Sequence, residues 1–374
     1  MTATRRLTPD QARAWLVGHL GLAAPVLPAG VEGVRAALAA LRCIQLDPLD
    51  RLGTNADLVV MARVDGLRRG DVFRHTYPGH AFEHFAKERC LLPAEAFPAY
   101  RDQAAETPWW RHTDRMKRLP TGVVEAVLAE VSARGPVTAA DLSDHGRVEP
   151  MEWSGWKGTA KAATMALEVL WTRCRVVVCG RTPAGRLYDV PERALPGHHA
   201  GAAPDAFARW GVRDRVEAAG LLPDAGGPWW SMLRDARLAG VADALLDEGE
   251  IERVEVEGSR RTYLAPTGFL DRRHPPPDDR MRILGPLDPL LWCRPLVRHI
   301  FDFAYVWEVY KPASQRRWGW YVVPLLHRGR LVGRFEGHVE AGEVVVDTLW
   351  VEDERRFDRA AFAAALERHG EGMR

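Results

Sequence analysis

The sequence predicts an α+β fold, tandem winged helix-turn-helix modules followed by a β-rich, barrel-like C-terminal domain. Two segments 75 residues apart end alike and carry most of that prediction: Arg175–Pro191 reads RVVVCGRTPAGRLYDVP, and Glu250–Pro266 reads EIERVEVEGSRRTYLAP. Each is a short β-rich run, a turn and a second run closing on Arg-x-Tyr-x-x-Pro, with Arg186, Tyr188 and Pro191 in one and Arg261, Tyr263 and Pro266 in the other. Each follows a stretch of helical periodicity, Thr159–Trp171 and Trp230–Leu246. Helices followed by a hairpin are the order of a module that lays one helix along a DNA groove with a β-wing beside it. A chain with at least two such units is expected to handle nucleic acid.

The elements follow in order. Thr8-Pro9-Asp10-Gln11 is a capping box with proline at the first helical position, so a helix is expected from Pro9 to His19. The Gly/Pro-rich stretch Gly21–Gly30 breaks it, and a second helix spans Val31–Leu41. Cys43–Asp47 alternates like a short strand or turn; helical character returns at Asn55–Val64, Asp71–Thr76, His80–Lys87 and Pro93–Ala104. These fill a first, irregular domain, 1–118. In the second, 119–195, Pro120 opens a helix to Arg134 that Gly135-Pro136 ends, and Thr138 caps a short second helix. Trp156–Arg173, with Lys157, Thr159 and Lys161 near its start, is the candidate recognition helix. Residues 196–273 repeat the scheme with a less basic helix, and His274-Pro275-Pro276-Pro277-Asp278-Asp279 signals a linker. Aromatic and valine-rich runs at Tyr305–Tyr310, Gly319–Leu326, Arg330–Val339 and Glu343–Val351 predict strands, and Asp358–His369 a closing helix, in a domain of 274–374.

Composition narrows the class. An apolar fraction of 47% is that of an ordinary globular chain, and no window approaches the roughly 18 apolar residues of a membrane span. Met1–Arg6 leads straight into a helix rather than an apolar signal core, so a cytoplasmic protein without membrane partners is expected. The five cysteines form no C-x-x-C and are read as buried reduced thiols. Net charge is only +1, yet it is segregated. Lys157–Tyr188 holds six Lys/Arg and one acid, Arg294–Arg334 eight and two, and Glu336–Asp358 eight acids and two bases. A neutral chain can thus present a basic face to DNA.

Three candidate chemistries stand out. His80-Ala81-Phe82-Glu83-His84 matches H-x-x-E-H, in which two histidines four apart on a helix bind zinc and the glutamate activates water. The competing reading is a helix packing Phe82 and Phe85 inward, and no metal site is assigned. Gly-rich phosphate loops and G-x-S-x-G are absent. Gln45-Leu46-Asp47 places an amide and a carboxylate two apart, on one side of an extended segment, where they can hold and activate a water. From the residues alone it reads first as an ordinary loop carboxylate.

Ile44–Pro48, Asn55-x-Asp57-Leu58-Val59 and Ala62-Arg63-Val64 resemble the first domain of the winged-helix DNA glycosylases that unhook interstrand crosslinks, the YcaQ/AlkZ-like family. Collinear similarities continue at Ala81–Glu88, Leu91-Leu92-Pro93, Trp156-Lys157, Leu187–Arg193, Leu287–Leu290 with Trp292 and Arg294, Arg316–Pro324 and Leu331–Arg334. The resemblance implies a C-shaped array of winged helices around duplex DNA with a C-terminal β domain. It also implies a catalytic Gln-x-Asp motif, here Gln45 and Asp47, of the broader-specificity branch rather than the antibiotic self-resistance branch with two glutamines. Where relatives often carry a basic or His-rich run, this chain has Asp50-Arg51-Leu52-Gly53-Thr54-Asn55.

An N7-alkylated purine is cationic and leaves as a neutral base, so one carboxylate can both stabilise an oxocarbenium-like sugar and activate water. Asp47 is expected in that role with Gln45 orienting the water, in a monofunctional, monomeric enzyme without a cofactor. The expected partner is double-stranded DNA containing alkylated or crosslinked purines. DNA contacts are expected from Asn55, from Lys157, Lys161, Arg181 and Arg186 in the second module, and from Arg316 and Arg317 in the last. A non-catalytic winged-helix regulator is the alternative. It would bind intact DNA sequence-specifically and would have no use for Gln45 and Asp47.

Overall fold

The structure, a computed structural model, describes residues 4–107, 111–151 and 158–374. Lys157 and Trp156 lie outside the described residues. The chain divides into two compact units, one of residues 1–72, 85–90 and 211–374, the other of residues 73–84 and 91–210.

The first elements are strand β1 (Arg5–Leu7) and helices α1 (Pro9–His19) and α2 (Gly30–Leu41). The expected capping box of α1 is formed, Thr8 Oγ1 accepting from Gln11 N and Gln11 accepting in return from Thr8 N. The strand ahead of it was not expected: β1 adds to the third hairpin as a parallel neighbour, Arg5 opposite Val254 and Leu7 opposite Val256. Strand β2 (Ile44–Gln45) precedes α3 (Asn55–Met61) and α4 (Asp71–Thr76). Next come the strands β3 (Ala81–Phe85) and β4 (Arg89–Pro93), then α5 (Phe97–Glu106), α6 (His112–Arg118) and α7 (Val123–Arg134). Short strands β5 (Arg147–Val148) and β6 (Ala160–Lys161) lead into α8 (Ala162–Thr172), the hairpin β7 (Val177–Thr182) and β8 (Gly185–Asp189), and α9 (Pro191–Ala194).

The third stretch runs α10 (Phe207–Ala219), β9 (Leu222–Pro223), α11 (Arg234–Leu238), α12 (Val241–Asp247), β10 (Ile251–Val256) and β11 (Thr262–Pro266). Both hairpins expected from the Arg-x-Tyr-x-x-Pro segments are therefore present.

One topology recurs. A helix, a single short strand, a helical or turning stretch and a hairpin follow one another, and the single strand lies on the hairpin's second strand. It occurs as β2 beside β4 and as β9 beside β11. In the second stretch one residue serves as the strand: Val137 exchanges both backbone hydrogen bonds with Tyr188. The two repeat tyrosines are thus equivalent, since Tyr263 faces Pro223 of β9.

Two expectations for the second stretch are corrected. The helix capped by Thr138 is only a turn, because Asp141 accepts from both Thr138 N and Thr138 Oγ1 and closes the loop on itself. The candidate recognition helix begins at Ala162, and all its residues except Thr164 and Glu168 are buried. Apolar on nearly every face, α8 is the core of its unit rather than a surface laid in a groove.

The last elements are β12 (Met281–Ile283), α13 (Arg294–Phe301), β13 (Val322–His327), β14 (Arg330–Glu340), β15 (Glu343–Val351) and α14 (Arg359–Met373). The four strands form an antiparallel sheet in the order β12-β13-β14-β15, bent by bulges at Leu325/Leu326 and Glu336/Gly337. It is open, so the expected barrel is corrected to a curved sheet whose apolar face, with Val323 and Phe335, is covered by Phe362 and Ala365 of α14. Tyr305–Tyr310 is not a strand. Side chains hold it instead: Tyr305 donates to Val322 O at 2.8 Å, and buried Glu308 accepts from Arg317 N and Trp318 N. The proline-rich 274–279 stretch is tied to the fold by Asp278 N donating to Ala23 O, and so is no free linker.

Candidate active site

The site is built on β2. Helix α2 ends at Arg42, whose positive φ of 63° turns the chain, and Ile44 enters the core with no exposed surface. Leu46 N donates to Arg89 O at 2.8 Å, fastening the strand to β4. Gln45 and Asp47 stay half-buried. Asp47 Oδ1 accepts from Leu49 N at 2.9 Å, a local turn that fixes the carboxylate against its own backbone.

Asn55 pins this strand from the other side. Its Nδ2 donates to Gln45 O at 2.8 Å, while its Oδ1 accepts from Leu287 N at 3.1 Å. With 1% of its surface exposed and its amide bonded at both ends, Asn55 acts here as a structural brace. Gly285 is the complement of that brace, because a Cβ there would stand 2.6 Å from Asn55 Oδ1. Next to it Arg63 grips Asp288 with two bonds of 2.7 and 3.0 Å, both side chains essentially without solvent. Arg63 also donates to Leu20 O and Val59 O, and Asp288 accepts from Leu290 N. Helix α3 and the 285–290 segment are therefore locked to one another beneath Gln45.

Burial raises the Asp47 carboxyl above its ordinary range, against the opposing pull of the Leu49 amide. The phenol of Tyr321 is pushed up too, first by burial and then by the Asp47 charge, which also acts on Tyr310. Tyr310 is 84% exposed, whereas Tyr321 is buried. Trp307 stands edge-on to each, at 5.8 and 6.3 Å between ring centres. Lys87, between β3 and β4, brings its Nζ to 3.3 Å from Gln45 Oε1 and 5.7 Å from the Trp292 ring. The sequence reading missed Lys87, Trp292, Trp307, Tyr310 and Tyr321 as site residues. The only trace of them was that Lys87, Trp292 and Tyr321 fall in collinear family segments.

The other expected residues lie elsewhere. Glu83 of the H-x-x-E-H segment sits on strand β3 rather than on a helix, because its neighbours alternate in a hairpin. Its fully buried carboxylate accepts from Tyr77 Oη at 3.1 Å and is ion-paired with Arg181 and, at 3.4 Å, with Arg186. A glutamate already neutralised by two guanidinium groups is no base for metal-bound water. Among the described residues no group of three or more His, Cys, Asp or Glu could hold a metal. Dialysis against EDTA is accordingly expected to leave activity and melting temperature unchanged, and a loss restored by zinc would reinstate the peptidase motif. All five cysteines are buried thiols.

Arg181 and Arg186 keep about a third of their side chains exposed despite the buried anchor. Lys161 is exposed at the start of α8. Arg316 donates to Lys311 O, and the exposed Arg317 guanidinium lies 4.5 Å over the Trp318 ring. Trp318 and Trp320 precede strand β13 rather than share its face, and Trp318 meets Trp350 edge-on.

With this geometry, the family model for "DNA glycosylase AlkZ-like" proteins matches residues 38–371. The chain belongs to the AlkZ-like DNA glycosylase family and is a DNA glycosylase, a hydrolase of N-glycosyl bonds. Among solved structures it is similar to the Streptomyces sahachiroi DNA glycosylase AlkZ, with a TM-score of 0.62 over 98% of this chain and 97% of that one at 19% identity. At that identity the likeness speaks for the mixed α and β fold.

Proposed function

We propose that this DNA glycosylase is monofunctional and hydrolyses the N-glycosidic bond of N7-alkylated purines in duplex DNA, crosslinked purines included, as a cytoplasmic monomer without a cofactor. The observation that carries this reading is a half-buried carboxamide and a half-buried carboxylate two residues apart, the first on strand β2 and the second just past its end. Its backbone is pinned by Arg89 and Asn55. Asp47 stabilises the oxocarbenium-like sugar and takes the proton of the attacking water, which Gln45 orients. A carboxylate drawn partly out of water exerts a stronger field on a developing cation than a solvated one. The base leaves neutral, so no strong general acid is called for.

The recurring helix–strand–hairpin units are read as winged-helix modules, within divisions at 1–118, 119–195 and 196–273 ahead of a C-terminal domain of 274–374. Lys157, Lys161, Arg181, Arg186, Arg316 and Arg317 are assigned to DNA phosphates. Such contacts position the duplex without reading sequence, which suits a search for damage. Glu83 supports the assignment for two of them, since it fixes Arg181 and Arg186 on one hairpin without covering them.

The test is release of N7-methylguanine from duplex DNA. Wild type is expected to release the base, Gln45→Ala and Asp47→Ala to lose release while still binding duplex. Release untouched by either change would move the active site elsewhere. No release from this lesion or from a crosslinked duplex would overturn the proposed substrate.

A further inference from the structure

We infer that Lys87 is a positioning residue of the base-excision site, fixing which end of the Gln45 carboxamide faces the attacking water; this rests on the proposed roles of Gln45 and Asp47. The position and partners of Lys87 lead to it. Lys87 sits between β3 and β4, where Ala86 N donates to Glu88 O and tightens the turn. Its Nζ has one hydrogen-bond partner among the described residues, Gln45 Oε1 at 3.3 Å. The neighbouring carboxylate of Glu88 is engaged elsewhere, accepting from Ser231 Oγ at 3.1 Å. The ammonium is instead held near the face of Trp292, whose own N–H is committed to Leu287 O. Burial lowers the Lys87 amine below its ordinary value, in keeping with a cation short of water.

The consequence follows from what each group can donate. A lysine ammonium has only hydrogens to give, whereas a carboxamide has an oxygen at one end and two N–H bonds at the other. With Lys87 beside it, Gln45 must present its oxygen to the amine, and its NH₂ is directed away. Rotating the amide by half a turn would set NH₂ against the ammonium and leave both donors unmet.

A water poised for attack needs an acceptor for one hydrogen and a donor to one lone pair, leaving the other lone pair for C1′. Asp47 is the acceptor and the Gln45 NH₂ is the donor. Lys87 thereby decides that Gln45 donates, without touching the substrate itself.

The experiment measures single-turnover release of N7-methylguanine and binding to undamaged duplex. It compares wild type, Lys87→Met, Lys87→Arg, Gln45→Ala and the Gln45→Ala/Lys87→Met double variant, with melting temperatures as folding controls. Lys87→Met is expected to slow release about tenfold or more at saturating enzyme, as loss of alignment does, with DNA binding unchanged. Lys87→Arg, which can still donate to the amide oxygen, is expected to recover part of the rate. In the Gln45→Ala background Lys87→Met should add nothing, because there is no amide left to orient.

A multiplicative loss in the double variant would overturn the inference, showing that Lys87 acts independently of Gln45. Weaker binding at an unchanged bound-state rate would make Lys87 a phosphate contact. A borohydride-trapped covalent adduct lost in Lys87→Met would make it a nucleophile forming an imine with C1′. A wild type that releases no alkylated base would remove the proposed function, and this inference with it. An active wild type with an unimpaired Lys87→Met removes the inference alone.

Discussion

Asp47→Asn is expected to abolish most base release, by about 10²- to 10⁴-fold, the range in which a positioned base contributes to a rate. Asparagine keeps the shape and can still accept from Leu49 N, so the loss isolates the charge. The pH profile gives a second reading of the same residue. In the proposed role Asp47 works ionised, and burial lifts its pKa above the ordinary 3.8. The rate of the wild type should therefore fall as pH drops through that raised value, an acidic limb that the residual activity of Asp47→Asn lacks. Stability should move the other way. A carboxyl whose folded pKa is raised favours the fold most when protonated and loses that contribution as pH climbs from its unfolded to its folded pKa. At pH 7 Asp47→Asn is then expected to melt no lower than wild type. A variant that lost activity together with its fold would defeat the catalytic assignment.

The second large effect concerns the brace under the site. Arg63→Ala leaves Asp288 with no solvent and no counter-charge, a change expected to cost about 3–5 kcal/mol, measured by the guanidinium unfolding transition. Replacing both partners, Arg63→Met with Asp288→Leu, should cost much less, since no unpaired charge is then buried. The comparison separates the worth of the pair from the penalty of breaking it. Equal losses in the two variants would mean that packing, not charge, dominates at this position.

What the sequence disclosed was local. The Thr8 capping box and the two Arg-x-Tyr-x-x-Pro hairpins each depend on neighbours a few residues away, and each is present as expected; the extended segment at Gln45 ends short of Asp47. What it hid was long-range. The partners of Glu83 lie about a hundred residues downstream, so H-x-x-E-H reads as a metal motif until Arg181 and Arg186 arrive. The bracing bonds of Asn55 were hidden because its acceptor and donor lie 10 and 232 residues away. Helix α8 misled differently: lysines near its start suggested a surface, while the apolar residues on its remaining faces had already fixed it as core. Periodicity distinguishes a one-sided helix from a fully buried one only if every face is counted.

Asn55 also sets an order of events during synthesis. The pair expected to do the chemistry is translated long before Leu287, yet the backbone that steadies it is tied through Asn55 to that residue. A nascent chain, or one cut short before that point, would carry both side chains without the support beneath them. The support beneath the site thus waits for a segment made 232 residues after Asn55.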